Sequence, residues 1–232
     1  MLVSDILKNK KVIFFDVGYT LDYPASGDWM FTQKFIEVMR DRLAGYDFDV
    51  IFRAKEQALK YLEDNHLLSG TEEEYKQFKQ FYSDVVKNLG VEVSEEEIES
   101  IAMDRVTNMN NYVAFDDAVH VVKTLSQSYK LGIISDTWPS IDSQLKAIGV
   151  YDYFSTFTFS CDLGVFKPNE KMYLDALQKC GCAPEEAVFI DDSVRNLEGA
   201  EKLGITPILI AAHPVADVET KYCKIHSLSE LI

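Results

Sequence analysis

The chain lacks long apolar runs, paired cysteine motifs and any excess of positive charge. Between Met1 and Asp16 the only apolar stretch is Val12 to Phe15, far short of a signal h-region or of the ~20 residues that cross a bilayer. No membrane partner is expected, and a cytoplasmic location is. Cys161, Cys180, Cys182 and Cys223 form no CxxC pair and no Cys/His set with zinc-ligand spacing, so they read as reduced thiols. With 38 acidic against 23 basic residues the net charge is −15, a field that repels a phosphate backbone and argues against nucleic acid as a partner. A chain this acidic must place local positive charge, from a metal ion or a lysine, wherever it takes an anionic substrate. There are no internal repeats or low-complexity stretches, and His66, His120, His213 and His226 show no partner spacing.

What is present is an ordinary globular composition, 47% hydrophobic and 26% charged. Val12 to Phe15 is a β-branched and aromatic run of the kind that fills a buried strand of a parallel sheet, and it ends on Asp16. Similar runs follow at 131–135, 187–190 and 207–210, with a weaker one at 156–159. Helical patterns separate them at 117–128, 140–148, 170–180 and 196–203. This alternation predicts an α/β fold, a Rossmann-like parallel sheet with helices on both faces. Between the first and second strands lie residues of different texture. The segments 28–44, 47–67, 71–89 and 94–108 read as four helices with almost no strand signal, and Thr71 to Glu74 and Ser94 to Glu97 both fit a capping box. Gly90 sits where a left-handed helix-terminating residue belongs. Residues 23–113 are therefore expected to form an inserted all-α helical domain, with 1–22 and 114–232 composing one discontinuous α/β domain.

In open α/β sheets ligands bind beyond the carboxyl ends of the strands, where three predicted strands place Asp16, Ser135-Asp136 and Asp191-Asp192. Asp16-Val-Gly-Tyr-Thr20 is a strand-end carboxylate followed by a glycine turn and a hydroxyl, a group that can hold a cation or attack an electrophile. Ser135 and the adjacent amides can bind phosphate oxygens. Pro168 biases Lys167 toward an extended conformation before the next helix. Asp191 and Asp192 follow an apolar run, where two carboxylates are costly unless they meet a cation. Each segment alone also fits a plain turn, a helix N-cap or a surface lysine.

Taken in order, the four segments resemble the haloacid dehalogenase-like hydrolases over nearly the whole chain, most specifically at Val188-Phe-Ile-Asp-Asp-Ser193 with Asn196, Gly199-Ala200 and Leu203-Gly204. The resemblance implies that Asp16 is a nucleophile forming an aspartyl-phosphate. It further implies that Mg²⁺ is held by Asp16, the Gly18 carbonyl and Asp192. Ser135, Asp136, Lys167 and Thr20 would face the phosphoryl group, with Lys167 and Ser135 in catalysis and Asp191 and Asn196 steadying them from behind. The insertion would be the helical cap that such hydrolases close over the crevice, with Tyr23, Trp29, Met30 and Phe31 near its entrance. The implied activity is hydrolysis of a small phosphorylated metabolite; oligomeric state is hidden.

One position departs from the family pattern. Phosphatases of this kind carry a second aspartate two residues after the nucleophile, as general acid and base, and here that position is Gly18. General acid–base help is worth ~10²–10⁴-fold, so its loss should be felt most with poor leaving groups. The enzyme would then favour good leaving groups, turn over slowly, or recruit Asp22 or Tyr19 as acid. Two alternatives follow: a catalytically degenerate protein that binds a phosphorylated ligand or a partner, and a 2-haloacid dehalogenase, which also lacks the second aspartate and needs no metal. Asp191-Asp192 argues against the dehalogenase, because unbalanced carboxylates repel a carboxylate substrate.

Overall fold

The structure is a computed structural model describing residues 3–232, so Met1 and Leu2 of the predicted first segment lie outside the described residues. Six parallel strands form the main sheet: β1 (Val12–Phe15), β4 (Lys130–Ser135), β5 (Thr156–Phe159), β6 (Ala187–Asp191), β7 (Thr206–Ile210) and β8 (Cys223–Ile225). Their order is β5-β4-β1-β6-β7-β8, with β1 in the middle, Phe15 level with Ile133 of β4 on one side and Ile190 of β6 on the other.

Alternation along β1 divides the core. Ile13 and Phe15 face a cluster that includes Val121 and Val122 of α6 (Ala118–Leu125) and Leu145 of α7 (Ile141–Ala147). Val12 and Phe14 face the opposite cluster, with Met172 and Leu177 of α9 (Glu170–Cys180) and Leu197 of α10 (Val194–Lys202). All four side chains of β1 are buried, which is why the strand reads as an unbroken apolar run. The α/β architecture with helices on both faces is as predicted. The sixth strand was not foreseen, since three residues at a chain edge carry too short a pattern to stand out.

Residues between β1 and β4 build their own hydrophobic cluster from α2 (Gln33–Met39), α3 (Phe48–Asp64), α4 (Thr71–Leu89) and α5 (Glu95–Thr107), centred on Phe35, Phe78, Phe81, Tyr82 and Ile101. The first predicted helix is shorter than its pattern. Asp28 Oδ1 accepts from the Met30 and Phe31 amides, closing a turn there, and Thr32 then caps α2 at the Phe35 amide. The capping box at Ser94 is present, whereas Thr71 makes none because the helix begins one residue earlier than its pattern, with Gly70 as N-cap and Thr71 already helical. Gly90 ends α4 at φ 67°, the left-handed conformation that favours glycine. The insertion also carries a short antiparallel ribbon, β2 (Asp22–Pro24) against β3 (Tyr112–Ala114), which brings its two ends together. Three-residue strands, one containing proline, leave no alternation to read.

The helical cluster is fastened to the sheet by buried polar contacts. The Ser140 amide and hydroxyl donate to the two Glu74 carboxylate oxygens at 2.7 and 2.6 Å, and Trp138 Nε1 donates to Gln77 Oε1 at 2.7 Å. His66 Nε2 lies 2.6 Å from Ser160 Oγ, with its ring stacked on Phe166 at 3.9 Å. Burial lowers the His66 pKa to about 4. The unfolded chain therefore takes up this proton first as pH falls, so the contribution of neutral His66 is complete above ~6.5 and is lost between there and about 4. Replacing His66 with Gln should flatten the fall in urea midpoint between pH 6.5 and 4; an unchanged slope would show that His66 is not a source of acid sensitivity.

Candidate active site

The strand ends converge as the sheet order requires. Asp16 follows β1, and its amide donates to the Ile190 carbonyl of β6 at 2.9 Å, which fixes the start of the loop after β1 against the neighbouring strand. Ser135 ends β4, and Asp191 ends β6 with Asp192 just beyond it. Lys167 enters from the loop before α9, through a cis peptide to Pro168, and its amide donates to Asp136 Oδ1 at 2.9 Å. Asp136 thus orders the lysine segment by a hydrogen bond as well as facing the crevice.

The Lys167 ammonium donates to Asp16 Oδ1 at 2.6 Å, Asp191 Oδ2 at 2.8 Å and the Ile134 carbonyl at 3.2 Å. Burial works against its charge, but Asp16, Asp191 and Asp136 outweigh burial and hold its pKa well above the ordinary value. Asp191 is saturated, because its Oδ1 also accepts from the Ser193 amide at 2.7 Å and Asn196 Nδ2 reaches both its oxygens. Asp16 and Asp192 keep oxygens free of such commitments. Burial, then Asp191, push Asp192 up to about 7, and burial raises Asp16 despite Lys167.

Asp16, Asp191 and Asp192 present oxygens within 4.8 Å of one another. Three carboxylates against one lysine leave surplus negative charge in a poorly solvated place. That donor set suits a hard, oxygen-seeking divalent cation, which would offset the burial and the mutual repulsion that raise Asp16 and Asp192.

A cavity of about 270 Å³ opens over these groups. Asp16, Gly18, Ser135, Asp136, Lys167, Asp192 and Asn196 line it, as do Tyr19, Trp29 and Met30. Thr20 does not: it is fully buried beneath the loop, and its hydroxyl has no partner. Asp22 is also fully buried away from the cavity, raised to about 7 by burial against a hydrogen bond from Gln144, so Tyr19 is the one of the two candidate acids that reaches the crevice. Phe31 and Tyr23 pack elsewhere, on Phe35 and Phe115.

At Gly18 a side chain meets the Trp29 indole, since a Cβ there would sit 3.0 Å from Trp29 Cζ2. A side chain at position 18 therefore requires the ring, itself edge-on to Tyr19 at 5.1 Å, to give way slightly. Sequence reasoning missed Arg105, Tyr112, Trp138 and Gln144 on the cavity wall. Trp138 lies three residues past Ser135 and was within reach of inference. Arg105 comes from the last helix of the insertion, and only the packing of that helix brings it in.

A strand-end carboxylate paired with a loop lysine, under an inserted helical module, is the arrangement that these side chains build. The model of the family described as haloacid dehalogenase-like hydrolase matches residues 48–210, and the chain belongs to that family. Among its relatives is the glyceraldehyde 3-phosphate phosphatase of Methanothermobacter thermautotrophicus, 27% identical over 212 residues, covering 86% of this chain and 85% of that one. The enzyme of the same name from Methanopyrus kandleri is 29% identical over 111 residues, and the match spans only 46% of its length and 44% of this chain. Solved structures with the same fold include magnesium-bound YfnB from Bacillus subtilis, TM-score 0.67 at 16% identity, covering 96% of this chain and 97% of that one. The L-2-haloacid dehalogenase of Xanthobacter autotrophicus has TM-score 0.65 at 17% identity, with 96% of each chain covered. At these identities the structural likeness is one of fold. No helix among the described residues is long and apolar enough to cross a membrane.

Proposed function

We propose that the chain is a Mg²⁺-dependent phosphatase that hydrolyses a small phosphorylated metabolite through an aspartyl-phosphate on Asp16. The surplus of three clustered carboxylates over one lysine carries this reading. A haloacid dehalogenase has to admit a carboxylate substrate, and such a cluster without a cation would repel it. Residues 1–22 and 114–232 serve as the catalytic domain and 23–113 as its cap. The triose phosphate named for the archaeal relatives is in the size range that a cavity of about 270 Å³ admits.

In this mechanism an Asp16 oxygen attacks phosphorus as the bond to the leaving-group oxygen breaks. Water then attacks the same phosphorus, releasing inorganic phosphate and restoring the Asp16 carboxylate. Lys167 offsets charge on Asp16 and on the incoming phosphoryl oxygens, and Asp191 with Asn196 keeps it aimed. Ser135, buried on the cavity wall, donates to a phosphoryl oxygen. When bound by Asp16, Asp192 and the Gly18 carbonyl, Mg²⁺ supplies further neutralisation of the equatorial oxygens. The leaving group departs without a carboxylic acid at position 18, and burial raises the pKa of the nearby Tyr19 phenol, so it stays protonated.

Steady-state phosphate release should be magnesium-dependent, faster with acetyl phosphate and p-nitrophenyl phosphate than with alkyl sugar phosphates, and absent in Asp16→Asn. No turnover above that variant on any of these compounds would instead support a phosphate-binding protein, a role the indole over Gly18 favours. A second outcome concerns the missing acid. Gly18→Asp alone should gain little, because its side chain crowds the Trp29 ring. Combined with Trp29→Val it should raise alkyl phosphate turnover at least ~10-fold over Trp29→Val alone. If the pair brings no gain, absence of the acid is not what limits the enzyme.

A further inference from the structure

Lys167 is committed to two carboxylates, which leaves Arg105 as the other cation on the cavity wall. Arg105 stands in the last turn of α5 and is 5% exposed. Its guanidinium is held from several sides: Nη1 donates to the Tyr112 hydroxyl, the Phe78 ring lies 4.6 Å from Cζ, and the Trp138 ring lies 5.8 Å away. Glu74 is its nearest carboxylate, at 3.9 Å, beyond hydrogen-bonding distance, and both Glu74 oxygens already accept from Ser140. Nε has no hydrogen-bond partner, and Nη2 meets no acceptor among the described residues. A guanidinium is a five-donor fork, so a buried one that spends so few donors on its own protein is short of acceptors.

We propose that Arg105 is the specificity-determining residue of the cavity, taking a carboxylate at the end of the substrate remote from its phosphoryl group. The inference rests on the phosphatase reading and narrows it to phosphomonoesters of small hydroxy acids. Charge favours this assignment over a neutral group. Asp16 and Asp136 are bonded to the Lys167 segment and line the cavity with Asp192, so a carboxylate is repelled by that group and attracted by Arg105. The aromatic walls fix the fork before the ligand arrives, so little side-chain entropy is lost on binding.

The test is calorimetric binding, in the presence of Mg²⁺, of inorganic phosphate, 3-phosphoglycerate and glycerol 3-phosphate to the Asp16→Asn protein. The two organic ligands match in length and differ at the far end, carboxylate against hydroxymethyl. The carboxylate ligand should bind at least ~10-fold tighter, as a charge-assisted pair predicts. Adding Arg105→Met should bring that ratio to within about twofold while phosphate still binds, and Arg105→Lys should keep part of it. Because Arg105→Met strands Glu74, the variant carrying Glu74→Gln as well is measured beside it and should give the same ratio. Phosphate binding with no preference for the carboxylate ligand, or a preference that survives Arg105→Met with Glu74→Gln, overturns the role of Arg105. Failure of inorganic phosphate to bind overturns the phosphatase reading, and this inference with it.

Discussion

A buried ammonium between two buried carboxylates holds this site together. Lys167 joins the loop before α9 to the ends of β1 and β6 and to the carbonyl of Ile134 on β4, so four separate stretches of chain depend on one side chain. Removing one partner of such a pair generally costs ~3–5 kcal/mol, because the remaining charge stays buried and unmatched. The same arrangement leaves the lysine outnumbered. With Asp191 spent on Lys167, Ser193 and Asn196, the excess charge falls on Asp16 and Asp192, the two groups with oxygens left to offer. Structural support and readiness for a cation thus come from a single imbalance.

That imbalance is visible in the sequence only as residue types at strand ends. β1, β4, β6 and β7 were legible because parallel strands buried on both faces must be largely apolar, and helices between them must repeat at another period, whereas β5, an edge strand alternating Thr and Phe, left a weaker signal. Asp16, Ser135, Asp136 and Asp192 on the cavity wall follow from the rule about strand ends, whereas Lys167 and Asn196 were legible only through the family resemblance. What local pattern cannot carry is the meeting of distant side chains. Glu74 looked like half of a capping box and instead receives two hydrogen bonds from Ser140, 66 residues away. Thr20, four residues after Asp16, is buried inward and does not line the crevice. Arg105 reaches the cavity only because α4, α5 and the β3 ribbon pack together around it.

The helical insertion and the loop after β4 behave as one surface. Trp138 packs among the helical residues and donates to Gln77, while Ser140, two residues on, is held by Glu74. Ser135 and Asp136 stand at the base of this loop, so groups that line the cavity and groups that contact the insertion share one short stretch of chain. Trp29 extends the coupling to Gly18. An indole from the insertion closes on the backbone of Gly18, so the absence of a side chain there and the shape of the cavity are two aspects of one packing choice.

The claim on which the rest depends is that the Asp16 and Asp192 oxygens await a divalent cation. Thermal unfolding in increasing Mg²⁺, against a chelated reference, measures this without any substrate. A ligand bound only by the folded state at 100 times its Kd adds ~2.7 kcal/mol of stability, so the midpoint should climb with Mg²⁺ and stop responding in Asp192→Asn. A midpoint indifferent to Mg²⁺, or one that climbs equally in the variant, would contradict the account.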